Sequence, residues 1–366
     1  MPITEKNSVK TIVIDDELKE LIEKAQIAYS ENFNGDAWLG RCIFLSWYCA
    51  LGNCDFCFRS TQKHKIQHPA SARRTKESIY SEAFIAKVLN WKFEFLTGGY
   101  GVFEFDDIVE ISKTISEIFG EKIWVNLGTL SKQQFEQLLP YIEGYVASVE
   151  TLEPVLHKKV APGKPMAPYE HSIKNAKELG LKTSITIVLG LGEPLEDYKY
   201  VKEFIEKYDL NRITYYALRP VKGTPYEHGP NPEFVAKWIA KTRIDFPKIE
   251  IVVGSAETRI PEINLLLKAG ANAFTKIPAT KIFGTTGAEQ IHNEIKKAGR
   301  NFTSELMHLP KISWRDEVSK VIKDEKLREK VIAKLEDYEK NRLMKSYKEF
   351  SSINKPKAEK CEPCGE

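Results

Sequence analysis

The chain has 366 residues, 42% of them hydrophobic and 29% charged, with a net charge of +3. That composition is globular, on the scale of one large barrel or two ordinary domains, and so small a charge compels no nucleic-acid partner. No run of about 18 apolar residues exists to cross a bilayer, and Met1–Lys6 holds no apolar signal core, so a cytoplasmic protein is expected.

Residues 1 to about 40 read as a helical prelude, with apolar residues at helical spacing from Asp15 to Ile27 after an acidic start. Strand-like and helix-like stretches then alternate. Apolar Cys42–Trp47 is followed by a helix over Thr75–Leu89 and a strand over Trp91–Leu96. A helix over Phe103–Phe119, a strand over Lys122–Leu127 and a helix over Ser131–Leu139 come next. Gly144–Val149, Thr183–Leu189 and Arg212–Leu218 read as strands, with helices over Tyr169–Leu179, Leu195–Tyr208 and Pro232–Thr242 after them. Ile249–Val253 and Ala273–Ile277 complete the series. About eight βα units in this length predict an α/β fold, a closed TIM-type (β/α) barrel whose chemistry sits at the C-terminal strand ends. The expected division is an N-terminal helical extension (1–40), a barrel (41–285) and a C-terminal extension (286–366). This last part reads as charged and helical from Gly287 to Ser352, with no further strand, and ends in a polar tail.

Six cysteines occur, at 42, 49, 54, 57, 361 and 364, and none between Cys57 and Cys361. A disulfide framework would scatter them through the fold, so ligation of a metal or cluster is favoured. Cys49, Cys54 and Cys57 form a C-x4-C-x2-C loop. Thiolates are the ligands iron–sulfur clusters select, and three of them leave one iron of a [4Fe–4S] cluster open. Taken alone, the three also fit a zinc site short of a ligand, or buried thiols.

The loop resembles that of the radical SAM superfamily, where an aromatic residue precedes the last cysteine, as Phe56 does here; the first gap is longer by one residue than the usual C-x3-C-x2-C. Thr97-Gly98-Gly99-Tyr100-Gly101 ends the second predicted strand. Glycines there let backbone approach a ligand, and in this superfamily such a segment holds the amino group of SAM's methionine part. A plain tight turn is the other reading. The stretch from Ser148 to Glu193, with Leu156-His157 and Pro162–Pro165, resembles biotin-synthase-like members. The resemblance implies that Glu150, beside Ser148, contacts the SAM ribose and that apolar residues near Ile187 and Val188 flank the adenine. Many relatives pair the SAM carboxylate with an arginine after the fourth strand; here only His171 and lysines occur, so that role has no holder. Arg219, at the sixth strand end, is read as facing substrate or SAM, or as a surface ion pair.

Cys42 and the Cys361-Glu-Pro-Cys364 pair supply three further thiolates, the number for a second cluster. A redox disulfide or zinc pair on the tail, with Cys42 as a core residue, is the alternative. Two clusters, one held partly by a C-terminal pair, look like the archaeal two-protein lipoyl synthases. The resemblance, over residues 41–285, implies SAM cleavage to a 5′-deoxyadenosyl radical, hydrogen abstraction, and sulfur insertion from an auxiliary [4Fe–4S] cluster into octanoyl- or mercaptooctanoyl-lysine. It also implies partners: a lipoyl-carrier protein or peptide, the companion synthase protein and an electron donor. The competing expectations are a single-cluster radical SAM enzyme, of the iron-guanylylpyridinol or pyrrolysine-mutase type, and a cluster or zinc carrier.

Overall fold

The computed structural model describes residues 12 and 14–344. Eight parallel strands run β1 (Asp36–Phe44), β2 (Lys92–Thr97), β3 (Ile123–Asn126), β4 (Ile142–Glu150), β5 (Lys182–Leu189), β6 (Arg212–Ala217), β7 (Glu250–Gly254) and β8 (Ala273–Thr275). Each pairs with its successor, and β1 pairs with both β2 and β8, which closes the ring. Closure removes every free strand edge, the main liability of an open sheet. The expected TIM-type barrel is therefore present, and all eight expected strands occur, the first displaced toward the N-terminus from the expected Cys42–Trp47. No helix among the described residues is long and apolar enough to cross a membrane.

Strand alternation divides each strand between two environments. One side chain set, including Ile43, Leu96, Val125, Ala147, Ile187 and Tyr215, packs outward against the helices in the main core. The other fills the lumen, where Cys42, Phe95, Trp124 and Val146 form a separate cluster touched by Phe44 and Tyr216. Two boundaries differ from expectation. The first strand begins at Asp36, ahead of residue 41, because the Gly35 turn (φ +84°) follows directly on the helix Asp16–Asn32. The C-terminal region is not wholly helical: besides helices Thr286–Lys297, Trp314–Val321 and Glu325–Tyr338 it contributes β9 (Asn301–Phe302), which extends the foot of β1. A two-residue strand carries no readable period, so its partner alone defines it. The tail from residue 345 lies outside the described residues.

The N-terminal helix is fixed to the barrel through Arg243 on helix Pro232–Asp245. Its fully buried guanidinium donates to the carbonyls of Gly270, Pro247 and Ile249 and to Asn272 Oδ1, and lies 4.5 Å from the Phe33 ring centroid. Truncating it strands several buried acceptors at once. Arg243→Ala is therefore expected to lower unfolding free energy by roughly 3 kcal/mol or more, read by denaturant titration; a loss below about 1 kcal/mol would contradict the assignment.

Candidate functional site

Parallel pairing of β1 with β2, with Phe44 opposite Thr97, brings the cysteine loop and the glycine segment out of the barrel side by side. The pairing continues past both strands: Leu45 N donates to Thr97 O at 2.7 Å and Ala50 N to Tyr100 O at 3.0 Å. Contact here is close enough that a Cβ on Gly99 would lie 1.6 Å from the Tyr48 carbonyl oxygen. Gly101 has φ +74°, a conformation only glycine adopts at little cost. Arg59 closes the loop's base, donating from Nε and Nη2 to Ser46 O at 3.2 and 3.1 Å, and Lys63 Nζ bonds the carbonyls of Ala50 and Leu51 at 2.6 and 3.1 Å.

Cys49, Cys54 and Cys57 face one cavity of about 120 Å³ at the barrel mouth. Its opposite wall comes from the ends of β3 and β4 and the turn after helix Pro154–Val160. There Ser148 Oγ donates to Asn126 Oδ1 at 2.8 Å, and Tyr100 and Tyr169 join hydroxyls at 2.7 Å. Glu150 sits at a bulge, where the β4–β5 register shifts, with φ +67°. For a non-glycine residue that is a strained backbone, of the kind active sites hold at the expense of the surrounding fold. Its buried carboxylate is ion-paired with Lys164 Nζ, which also reaches Ser148 O at 3.3 Å. His157 fixes the turn that carries Lys164, its ring nitrogens lying 2.8 Å from Thr151 O and 2.6 Å from Lys164 O. Burial opposes the Lys164 charge, but the Glu150 carboxylate more than offsets it and holds the ammonium above its ordinary range. The Cys54 thiol is pushed up to about 12, mainly by burial, with the Lys164 charge pulling the other way.

These residues suit the cluster the loop implies. Three free thiols converge on one cavity, and a cation beside the buried one favours its thiolate. No three His, Cys, Asp or Glu side chains among the described residues gather around a single ion; a cluster does not ask for that, since its cysteines bind separate irons.

The remaining expected site residues divide. Gly98 lines the cavity, whereas Gly99 and Gly101 serve the loop's seat. Val188 belongs to an apolar cluster with Cys54, Val160, Leu191 and Leu218, touched by Phe56, just behind the cysteines. Ile187 does not: one residue along the strand, it points outward into the main core, so the expected adenine wall rests on Val188 alone. Glu193, buried, accepts the N–H groups of Gly190, Leu191 and Gly192, which makes it the brace of that turn. His171 is exposed on its helix. Lys164 lines the cavity beside Glu150; its sequence context was legible, its approach to Glu150 was not, because only the folded turn brings the two together.

Arg219 and Cys42 line a second cavity across the mouth, of about 170 Å³, with Lys276 and Glu257. At its floor Cys42 Sγ donates to Glu94 Oε2 at 2.6 Å, and Tyr216 and Thr275 hydroxyls donate to the same carboxylate, Tyr216 at 2.9 Å. Burial, then the Glu94 charge, keep this thiol protonated. Cys361 and Cys364 lie outside the described residues.

Comparison with known proteins follows the same division. The radical SAM superfamily model matches residues 45–205, and the Biotin and Thiamin Synthesis associated domain model matches 215–301. Uncharacterized protein MJ0597 of Methanocaldococcus jannaschii is 39% identical over 289 residues, covering 77% of this chain and 80% of that protein. A biotin synthase of Carboxydothermus hydrogenoformans is 25% identical, covering 60% and 70%. Among solved structures, methylornithine synthase superposes with TM-score 0.64 at 20% identity over 80% of this chain and 91% of that one, a likeness of fold.

The seat of the loop generates one prediction. Gly99→Ala must displace the Tyr48–Cys49 backbone, so a purified variant with unchanged far-UV circular dichroism is expected to retain less than about a third of the wild-type iron after reconstitution. Full iron loading with alanine at 99 would contradict the close approach.

Proposed function

The chain belongs to the radical SAM superfamily, and from that premise we propose that it inserts sulfur into a protein-bound octanoyl- or mercaptooctanoyl-lysine, one step in forming the lipoyl group. Cys49, Cys54 and Cys57 hold the SAM-binding [4Fe–4S] cluster in this reading, and Cys42 with Cys361 and Cys364 holds an auxiliary one. When bound, the first cluster and SAM supply hydrogen abstraction from an unactivated carbon, and the auxiliary cluster supplies the sulfur.

The chain's own residues have definable parts. Lys164 offers its ammonium to the SAM carboxylate, the role left without an arginine. Glu150, fixed by the bulge, accepts hydrogen bonds from ribose hydroxyls beside Ser148. The Gly98 backbone, with no Cβ, lets the amino group approach, and Val188 with Leu191 and Leu218 gives the adenine an apolar wall that excludes water. Glu94 Oε2 already accepts from the Cys42 thiol and is the group that would take its proton were Cys42 to hold iron.

The observation that carries sulfur insertion is Cys42 itself. Among the described residues it is the one thiol outside the loop, and it projects into the lumen next to the second cavity. A second reading, a single-cluster radical enzyme without sulfur insertion, is favoured by the Cys42–Glu94 hydrogen bond, which satisfies the thiol without a metal. The proposal needs three partners beyond SAM: the acylated carrier, the companion protein for the other sulfur atom, and an electron donor.

Iron and sulfide per chain after anaerobic reconstitution separate the readings. Two four-iron clusters mean about eight irons in the intact chain, falling to about four in Cys42→Ala and in the Cys361→Ala/Cys364→Ala double variant. About four in all three proteins would exclude the auxiliary cluster, and with it sulfur insertion.

A further inference from the structure

Among the described residues, four non-glycine residues have a left-handed backbone: Asn90, Glu150, Asp209 and Lys276. Asn90 and Asp209 end helices at the opposite pole of the barrel. Glu150 and Lys276 instead end β4 and β8, strands on opposite sides of the mouth. Strain held at a strand end marks a side chain that the fold must aim. Glu150 is aimed into the first cavity; Lys276, with φ +66°, is aimed into the second.

The Lys276 ammonium stands over three lumen rings, 4.7 Å from the centroid of Phe44, 5.0 Å from that of Tyr216 and 5.7 Å from that of Phe95. Those faces attract a cation and replace part of its water, but they cannot neutralise it. Arg219 opens onto the same cavity. The acid that shares the cavity, Glu257, is engaged by Lys281 at 2.9 Å, and Glu94 below, which accepts from three neutral hydroxyl and thiol donors, keeps its negative charge in the lumen. Arg41 is paired with Glu82 at 2.5 Å. Neither Lys276 nor Arg219 makes an ion pair among the described residues. Two cations without a direct ion pair, with the single Glu94 charge below them, leave an excess of positive charge at the rim of the cavity, and a planar guanidinium beside an ammonium fits a carboxylate.

We propose that Lys276 and Arg219 form a subsite for a carboxylate carried by the substrate, at the second cavity. The inference rests on the first cavity being the SAM site and on substrate reaching the second alongside Cys42, the residue given above to the auxiliary cluster. The carboxylate comes either from an acidic side chain beside the acylated lysine of the carrier or from a free organic acid.

Isothermal titration of the reconstituted full-length chain tests it with three ligands: an octanoyl-lysine peptide with aspartate next to the lysine, the same peptide with asparagine there, and glutarate. The expected result is a preference of about tenfold for the aspartate peptide, the worth of one charge-assisted hydrogen bond. That preference should fall with added salt, vanish in Lys276→Gln and Arg219→Gln, and return in Lys276→Arg. Glutarate binding that is likewise lost in both glutamine variants would also support the subsite and identify a free acid as the source. Equal affinity for both peptides in the wild-type protein together with no glutarate binding would overturn the proposal, as would carboxylate binding unchanged in both glutamine variants. Thermal melts establish that each variant is folded. SAM titrated alone tests the first cavity independently, so a failure there is distinct from a failure of the carboxylate subsite.

Discussion

A methyl group at residue 99 would stand 1.6 Å from the Tyr48 carbonyl oxygen, and everything at the mouth of this barrel depends on that contact being free. The cysteine loop has little secondary structure of its own. It holds its shape because β1 and β2 run parallel and in register, so their continuations keep bonding after the ladder has ended. Arg59 and Lys63 then bind carbonyls that the loop would otherwise leave to water. The three thiols are thus positioned by the sheet, with the loop as intermediary, and rigid positioning is what a radical reaction requires of its protein.

The wall facing the thiols obeys a second constraint. Glu150 is buried, strained and charged, a combination that only a close cation can sustain. Lys164 supplies it, and His157 keeps Lys164's turn in place through two backbone carbonyls. The pair is closely matched and sits open to the cavity, so an incoming ligand with both a carboxylate and hydroxyls could divide the two partners between its own groups. A zwitterionic nucleoside such as SAM has those groups. Across the mouth the balance differs: Lys276 and Arg219 share a cavity and neither makes a direct ion pair among the described residues. The two halves of the lumen therefore differ in the charge they present.

Much of this was legible in the sequence. Eight strands and their order followed from alternating periodicity, and the cysteine spacing with Phe56 pointed to the cluster loop. What the sequence hid was of three kinds. The contact between Gly99 and Tyr48 belongs to two segments that no local pattern relates. The inward or outward direction of Ile187 and Val188 depends on a strand's phase, and in a barrel buried on both faces nearly every residue is apolar, so the phase leaves no trace. Lys164 and Lys276 look like the other lysines of a lysine-rich chain; burial against Glu150 and a left-handed strand end distinguish them only after folding. Strand β9 is too short to have a period at all.

The central claim is that the thiol loop and the Glu150–Lys164 wall together hold and activate SAM. Its most direct test is release of 5′-deoxyadenosine and methionine when the reconstituted protein meets SAM and dithionite under anaerobic conditions. The account predicts that both appear in the wild-type protein and that Glu150→Gln lowers the rate by one to two orders of magnitude, roughly the loss of a charge-assisted contact. Intact SAM in the presence of a fully loaded, reducible cluster would contradict it and leave a cluster carrier built on a barrel.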